Sequence, residues 1–211
     1  MGQMFRNTEL HLHLDPLGQD IFVEIGSDIG EGSTHYFADL ALKNNRQLIT
    51  VDIANREFRT LTNVEAITAT GSDWAKTFGQ YNKEICCLYL DNFDYDWDVN
   101  QLGNWPMILR VQEQIREYLA RGVVMNNLNC QAEHLAQMLA LLPYMANHSV
   151  VICDDTYKFN DCYLGKCGAV IPLLHLHGYH IVEEDLANGI ILVRNSIPKQ
   201  TISTVEKTEW K

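Results

Sequence analysis

Three aspartates stand at the ends of two apolar segments of the sequence. Asp91 ends the segment 85–91, "ICCLYLD", and the pair Asp154 and Asp155 ends the segment 149–155, "SVVICDD". If both segments are parallel strands of one sheet, their carboxyl ends lie at the same edge, where three carboxylates repel one another unless they are protonated, neutralised or bound to a cation. Oxygen-only ligands favour a hard ion such as Mg²⁺. The pattern indicates a metal site, although a single aspartate at a strand end more often caps a turn.

A glycine-rich bend follows the first apolar segment, within "DIFVEIGSDIGEGSTHYFADLA" (20–41). Gly26, Gly30 and Gly32 precede a helix-like start at Ser33. In open α/β sheets such bends lie outside the carboxyl ends of the strands, where a ligand can approach the backbone closely. The bend is therefore a candidate ligand site.

The charge of this bend limits the ligand that it could hold. A phosphate-binding loop has a lysine where the run Glu31-Gly32-Ser33 places a carboxylate. A dinucleotide loop has its middle glycine where Asp28 stands, and a second negative charge would face the pyrophosphate. Asp52, at the end of the second apolar segment, has the placement of a carboxylate that accepts both hydroxyls of a ribose. A ligand with a ribose, a positive centre and no phosphate fits these residues, and S-adenosylmethionine is such a ligand.

Strand-like and helix-like segments alternate along the chain. Strands are predicted at 20–26, 46–53, 64–71, 85–91 and 149–155, and helices at 32–44, 54–61, 73–80 and 131–146. This alternation predicts an α/β fold, in which a parallel sheet carries helices on both faces. A helix at 166–178 followed by strands at 179–185 and 190–195 predicts an antiparallel hairpin at the end of the sheet.

One segment, at 95–129, has no place in the sheet. It begins with an acidic, aromatic stretch and continues with an amphipathic helix that starts at Pro106 and ends at Gly122. Packing against the core is one interpretation of this helix. A lid over the site and a dimer surface, which would make a second copy of the chain its partner, are the others.

Composition and charge exclude several classes of protein. The 211 residues, 46% of them hydrophobic, are enough for a single domain, 1–211, with a proper core. The formal net charge of −11 works against binding a phosphate backbone, so nucleic acid is not an expected partner. Without a membrane-length apolar run or the pattern of a secretory signal, we expect a cytoplasmic protein with reduced cysteines and no membrane partner.

The bend, the second strand end and the segment "ATGSDWA" (69–75) resemble the successive cofactor motifs of class I S-adenosylmethionine-dependent methyltransferases. The resemblance covers about residues 18–195 and implies a Rossmann-like, mostly parallel seven-stranded sheet with a C-terminal hairpin. Asp28, where the family has a glycine, departs from it. By this resemblance Gly26 lets the methionine part approach and Asp52 holds the ribose, while residues 71–73 border the adenine. The cofactor-binding residues so implied are Glu24, Gly26, Ser27, Asp28, Gly30, Gly32, Ser33, Asp52, Gly71, Ser72, Asp73 and Asp91.

The three strand-end aspartates resemble those of the metal-dependent O-methyltransferases, including the branches that modify small molecules and sugars. In that family a metal binds two neighbouring oxygens of the acceptor and lowers the pKa of the oxygen to be methylated. The resemblance implies a small-molecule acceptor, Mg²⁺ at Asp91, Asp154 and Asp155, and a general base at Asp94, three residues after the first ligand.

Two further side chains could take part. His134, which we place in the first turn of a helix leading into the fifth strand, is a rival base because an imidazole titrates in the right range. Lys166 could pair with the aspartates or with the acceptor, or it could be a solvent-exposed lysine. A metal-independent N-methyltransferase and an inactive, methyltransferase-like binding scaffold are the alternatives to a magnesium-dependent enzyme.

Overall fold

The computed structural model describes residues 9–15, 18, 20–27, 32–54, 58, 60–92, 108–120, 122–185 and 189–195, with the backbone alone at 108–111 and 114. Its strands are β1 Ile21–Ile25, β2 Leu48–Asp52, β3 Val64–Thr68, β4 Ile85–Leu90, β5 Met145–Asp154, β6 Thr156–Phe159, β7 Cys162–Gly165, β8 His180–Asp185 and β9 Gly189–Arg194. Seven of them form one sheet in the order β3-β2-β1-β4-β5-β9-β8. Strands β1 to β5 run parallel, and β8 and β9 form an antiparallel hairpin beside β5.

Five α-helices connect the strands in the described part of the chain. They are α1 Ser33–Lys43, α2 Gly71–Thr77, α3 Ile108–Ala120, α4 Asn127–Leu141 and α5 Val170–Leu176. Side chains cap two of them: Thr70 accepts from the backbone N–H of Asp73 at the start of α2, and Asn126 accepts from that of Asn129 at the start of α4. None of the helices in the described residues is long and apolar enough to cross a membrane.

Helices cover both faces of the sheet. In β1, Ile21, Val23 and Ile25 pack into a core cluster with side chains of α2, α4 and α5. Phe22 lies on the opposite face and packs with Phe37 of α1. Because both faces are buried, the central strands consist of nearly continuous apolar runs, as is usual for parallel sheets. The predicted fold, a mostly parallel sheet with helices on both faces and a closing hairpin, is confirmed.

Three helix predictions are wrong, one in its existence and two in their boundaries. The helix expected at 54–61 is replaced by bends and turns in its described residues, and Asp52 closes the first of these by accepting the N–H of Ala54. The helix expected at 131–146 begins at Asn127, and it ends before Pro143, which lies in a short 3-10 helix leading into β5. The helix expected at 166–178 is limited to α5.

The separate hairpin of β6 and β7 was not predicted from the sequence. Its two-residue turn, Asn160 and Asp161, has positive φ at both positions, 46° and 61°. Asparagine and aspartate tolerate this left-handed conformation better than most residues, and the turn type is common in tight hairpins. The pair "ND" between two short runs was therefore the available signal.

Candidate active site

The carboxyl ends of the parallel strands form one edge, and Gly26 lets two of them come close there. Its φ is +100°, and a Cβ built on it would lie 2.6 Å from the carbonyl oxygen of Asp91. A side chain would therefore collide with the backbone that follows β4. The structure thus gives this glycine a role in joining the ends of β1 and β4, in addition to the access to a ligand that the resemblance implies.

A cavity of about 220 Å³ lies beside this junction. It is lined by Asp52 at the end of β2, by residues 69–73 after β3, and by Asn92, Tyr118 and Glu133 from the other side. Asp52, half-buried, uses Oδ1 to accept the N–H of Ala54 at 2.8 Å. The structure therefore brings Asp52, Gly71, Ser72 and Asp73 to one cavity, and their predicted roles toward a ribose and an adenine stay predictions.

A network of polar side chains from α4 forms one wall of the cavity. Glu133 Oε1 accepts the backbone N–H of Ser72 at 2.8 Å and an N–H of Gln137 at 3.0 Å. The second N–H of Gln137 reaches Asn92 Oδ1 at 3.0 Å. Gly71 has no room for a side chain, because a Cβ there would overlap the Gln137 amide. Glu133, Gln137 and Asn92 were not predicted from the sequence, and the i, i+4 spacing on α4 was the available signal for the first two.

Glu24 lies below the bend and is fully buried. Its Oε2 accepts the hydroxyl groups of Thr34 in α1, at 2.7 Å, and of Thr50 in β2, at 2.8 Å. Burial raises the pKa of Glu24 to about 7, and the threonine hydrogen bonds oppose part of that shift. The side chain therefore joins the start of α1 to the sheet. Ser27, which follows β1, is also buried.

The three strand-end aspartates converge as predicted. Oxygen atoms of Asp91, Asp154 and Asp155 all lie within 4.8 Å of one another. Lys166 stands among them, with Nζ 2.6 Å from Asp91 Oδ1, 3.1 Å from Asp155 Oδ2 and 3.9 Å from Asp154 Oδ2. Its side chain is only 3% exposed, so Lys166 is a buried partner of the aspartates.

The electrostatics of this acidic triad suit a cation. Burial, and then the charge of Asp91, raise the pKa of Asp154 well above its ordinary value. Tyr89 donates its hydroxyl to Asp91 Oδ2 at 2.9 Å, which orients that carboxylate. With Asp154 neutral, two carboxylates and one ammonium leave one excess negative charge, and a bound cation would favour ionisation of Asp154 as well. The oxygen set, its spacing and this charge fit Mg²⁺, whose ligands lie about 2.1 Å from the ion.

His134 lies in the middle of α4, not in its first turn, because α4 begins at Asn127. The imidazole is fully buried, with Nδ1 2.8 Å from the carbonyl oxygen of Cys130, and Nε2 has no hydrogen-bond partner among the described residues. Burial lowers the pKa of His134 to about 4. The other candidate base, Asp94, lies outside the described residues, as do Asp28 and Gly30 of the bend.

Comparisons with known proteins bear on the fold. No protein-family model matches the chain, and no curated protein sequence matches it either. Among solved structures it is similar to a protein named as a ribosomal RNA methyltransferase from Plasmodium falciparum, with a TM-score of 0.51 and 14% identity over 88% of this chain and 90% of that one.

Two larger proteins give similar matches. One is described as a pericyclic reaction enzyme, with a TM-score of 0.50 and 9% identity over 92% of this chain and 49% of that one. The other is the MycE methyltransferase of mycinamycin biosynthesis, with a TM-score of 0.49 and 11% identity over 86% of this chain and 48% of that one. The chain spans about half the length of each. With the strand order and the cavity described above, the Plasmodium match shows that this chain has the Rossmann-like fold of class I methyltransferases.

Proposed function

We propose that the chain is an S-adenosylmethionine-dependent methyltransferase. One observation carries the proposal: on a class I methyltransferase fold, the cavity at the ends of β2 and β3 is lined by Asp52 and residues 69–73. These are the positions at which a ribose carboxylate and an adenine border are expected. The cavity is smaller than the roughly 300–1,000 Å³ of sites for drug-sized ligands, so it suits the nucleoside half of the cofactor.

The charges around the cavity support this ligand. Asp52 and Glu133 line it, and the acidic triad follows the next strands of the same edge. S-adenosylmethionine, when bound, supplies a methyl group on a positively charged sulfonium. Asp52 would accept the ribose hydroxyls. Glu133 of α4, which accepts the N–H of Ser72, would hold the start of α2 beside the adenine.

We further propose that the acceptor is a small-molecule hydroxyl and that Mg²⁺ assists. Asp91, Asp154 and Asp155 would hold the ion, which when bound would lower the pKa of an acceptor oxygen. The formal net charge of −11 disfavours an RNA acceptor, although the Plasmodium protein is named as a ribosomal RNA methyltransferase.

The proton of the acceptor needs a base, and Asp94 and His134 remain the candidates. Full burial of His134 and its low pKa, about 4, are unfavourable for a base that must reach an acceptor near neutral pH. We therefore favour Asp94, as the resemblance implies.

Lys166 supports a second candidate function. Its buried ammonium lies within 4 Å of all three aspartates and could itself supply the positive charge that the triad requires. In that case the enzyme would be independent of metal and would methylate an amine or a peptide nitrogen.

Binding of the cofactor is tested by calorimetry with S-adenosylhomocysteine, the demethylated product. We expect a dissociation constant in the micromolar range, which corresponds to a binding free energy of about −8 kcal/mol. Asp52→Asn should weaken binding about tenfold to a hundredfold, as expected for hydrogen bonds to a charged acceptor. Asp39→Asn is the matched control, because Asp39 is exposed on α1 and pairs with Lys43. Wild-type protein that binds neither S-adenosylhomocysteine nor S-adenosylmethionine would refute the proposal and favour the binding scaffold.

The acceptor and the metal are tested together by transfer of a labelled methyl group. Small molecules with neighbouring hydroxyls, amines, peptides and ribosomal RNA serve as acceptors, each with EDTA and with added Mg²⁺. Transfer to hydroxyls that stops with EDTA and returns with Mg²⁺ supports the first function. Transfer to amines that EDTA leaves unchanged supports the second.

A further inference from the structure

Lys166 lies against the three carboxylates that would hold a metal ion in the proposed function. Its Nζ contacts Asp91 Oδ1 at 2.6 Å and Asp155 Oδ2 at 3.1 Å, and it is 3.9 Å from Asp154 Oδ2. An ion bound to the same oxygens at about 2.1 Å would lie within contact distance of the ammonium. Two cations cannot share this space, because they would repel each other and compete for the same lone pairs.

The backbone holds Lys166 at this corner. Its N–H donates to the carbonyl oxygen of Asp155 at 3.1 Å. The next N–H, of Cys167, donates to Thr156 Oγ1 at 3.0 Å, and that hydroxyl donates to the carbonyl oxygen of Asp154 at 2.9 Å. The start of the turn after β7 is thus fastened to the end of β5. Because the backbone of Lys166 is held in place, any displacement from the triad would require rotation of its side chain.

We propose that the Lys166 ammonium is a tethered counter-ion that competes with divalent metal for the acidic triad. The inference rests on the metal site of the proposed function. In the absence of metal the ammonium neutralises part of the carboxylate charge, and metal binding must displace it by rotation of the side chain. Lys166 therefore lowers the affinity of the triad for metal, and its removal raises that affinity.

The test is Mn²⁺ binding, measured by electron paramagnetic resonance of the free ion and by calorimetry. Lys166→Met should bind Mn²⁺ at least tenfold more tightly than wild type. Lys166→Gln is a second uncharged variant, for the case that methionine destabilises the protein, because its amide can still donate to Asp91. It should also bind Mn²⁺ more tightly than wild type. Lys166→Arg keeps the charge and should not bind more tightly than wild type. Lys158→Met is the matched control, because Lys158 lies on β6 and pairs with Asp161.

A second measurement uses the wild-type protein alone. Acetic anhydride modifies exposed lysines, and mass spectrometry identifies the modified residue. Lys166 should be protected without metal and become reactive at saturating Mn²⁺, while Lys158 should react equally in both states.

Four results would overturn the inference. Equal Mn²⁺ affinity in wild type and Lys166→Met would refute the competition and leave the metal site intact. Weaker binding in both uncharged variants, or continued protection of Lys166 at saturating Mn²⁺, would mean that the lysine supports the site. If none of the proteins binds Mn²⁺, the metal site and the inference both fail, whereas binding of S-adenosylhomocysteine would still sustain the methyltransferase assignment.

Discussion

Glu24 should make the protein less stable as the pH rises from 4.5 to 7. The unfolded chain releases this proton near pH 4.5, whereas the folded protein keeps it up to about pH 7 because the carboxyl is fully buried. The folded state therefore binds more protons in this window, and the free energy of unfolding falls as the pH rises. A shift of this size corresponds to about 3 kcal/mol in full, most of it between these two pH values.

His134 should produce the opposite dependence in the same window. The unfolded chain gains a proton on this imidazole near pH 6.5, but the folded protein gains it only near pH 4. The free energy of unfolding therefore falls as the pH drops, again by about 2 to 3 kcal/mol between pH 7 and 4.5. The two pH dependences nearly cancel in the wild-type protein, so these two groups together should change its stability only weakly between pH 4.5 and 7.

Single variants should reveal the two hidden contributions. Urea unfolding at several values between pH 4.5 and 7.5 should show Glu24→Gln losing about 2 to 3 kcal/mol relative to wild type on acidification, and His134→Gln gaining a similar amount. The double variant should return to the wild-type profile. Glu84→Gln and His177→Gln, both exposed, are the controls. Single-variant profiles that run parallel to that of wild type would refute the burial argument.

Three other predictions concern the site. Gly71→Ala should cost about 1–3 kcal/mol of stability and weaken binding of S-adenosylhomocysteine, because the new methyl group displaces Gln137. Thermal melts measure the stability and calorimetry the affinity. Unchanged affinity would contradict the role of Glu133 and Gln137 as a wall of the cavity. Asp155→Asn should reduce Mn²⁺ affinity at least tenfold and leave S-adenosylhomocysteine affinity within about twofold, since it lies outside the cavity. Asp94→Asn should lower turnover about a hundredfold if Asp94 is the base, whereas His134→Gln should not. The reverse result would assign the proton to His134, and wild-type turnover in both variants would exclude both residues.

The features that the sequence predicted well depend on local pattern and on one rule of topology. Strands buried on both faces are continuous apolar runs, so β1, β2, β4 and β5 could be recognised directly. Because parallel strands end at the same edge, the meeting of Asp91 with Asp154 and Asp155 followed from the strand assignments alone. Their distances were not needed for that prediction.

The helix boundaries failed where local signals conflicted. Within 131–146 the apolar pattern continues past the end of α4, and Pro143 is the local signal that the helix ends before β5 begins at Met145. A separate error at the other end, a predicted start at 131 instead of Asn127, placed His134 in a first turn. Glu133 and Gln137 both lay within the predicted helix, but their contacts with Ser72 and Asn92 are distant in sequence. The misplaced helix start thus changed the position assigned to His134.

The sequence left two placements open for Lys166, paired with the aspartates or exposed to solvent, because its shortest contact is with a residue far away along the chain. Asp91 lies 75 residues before it, and the turn that carries it exists only because β6 and β7 fold back on the end of β5. A lysine after a glycine is ordinarily exposed. Its position decides whether the three aspartates are a metal site that a tethered ammonium blocks or a neutralised ion pair with no need of metal. Whether the triad binds metal therefore depends on the burial of Lys166 beside it, which the local sequence of the lysine does not reveal.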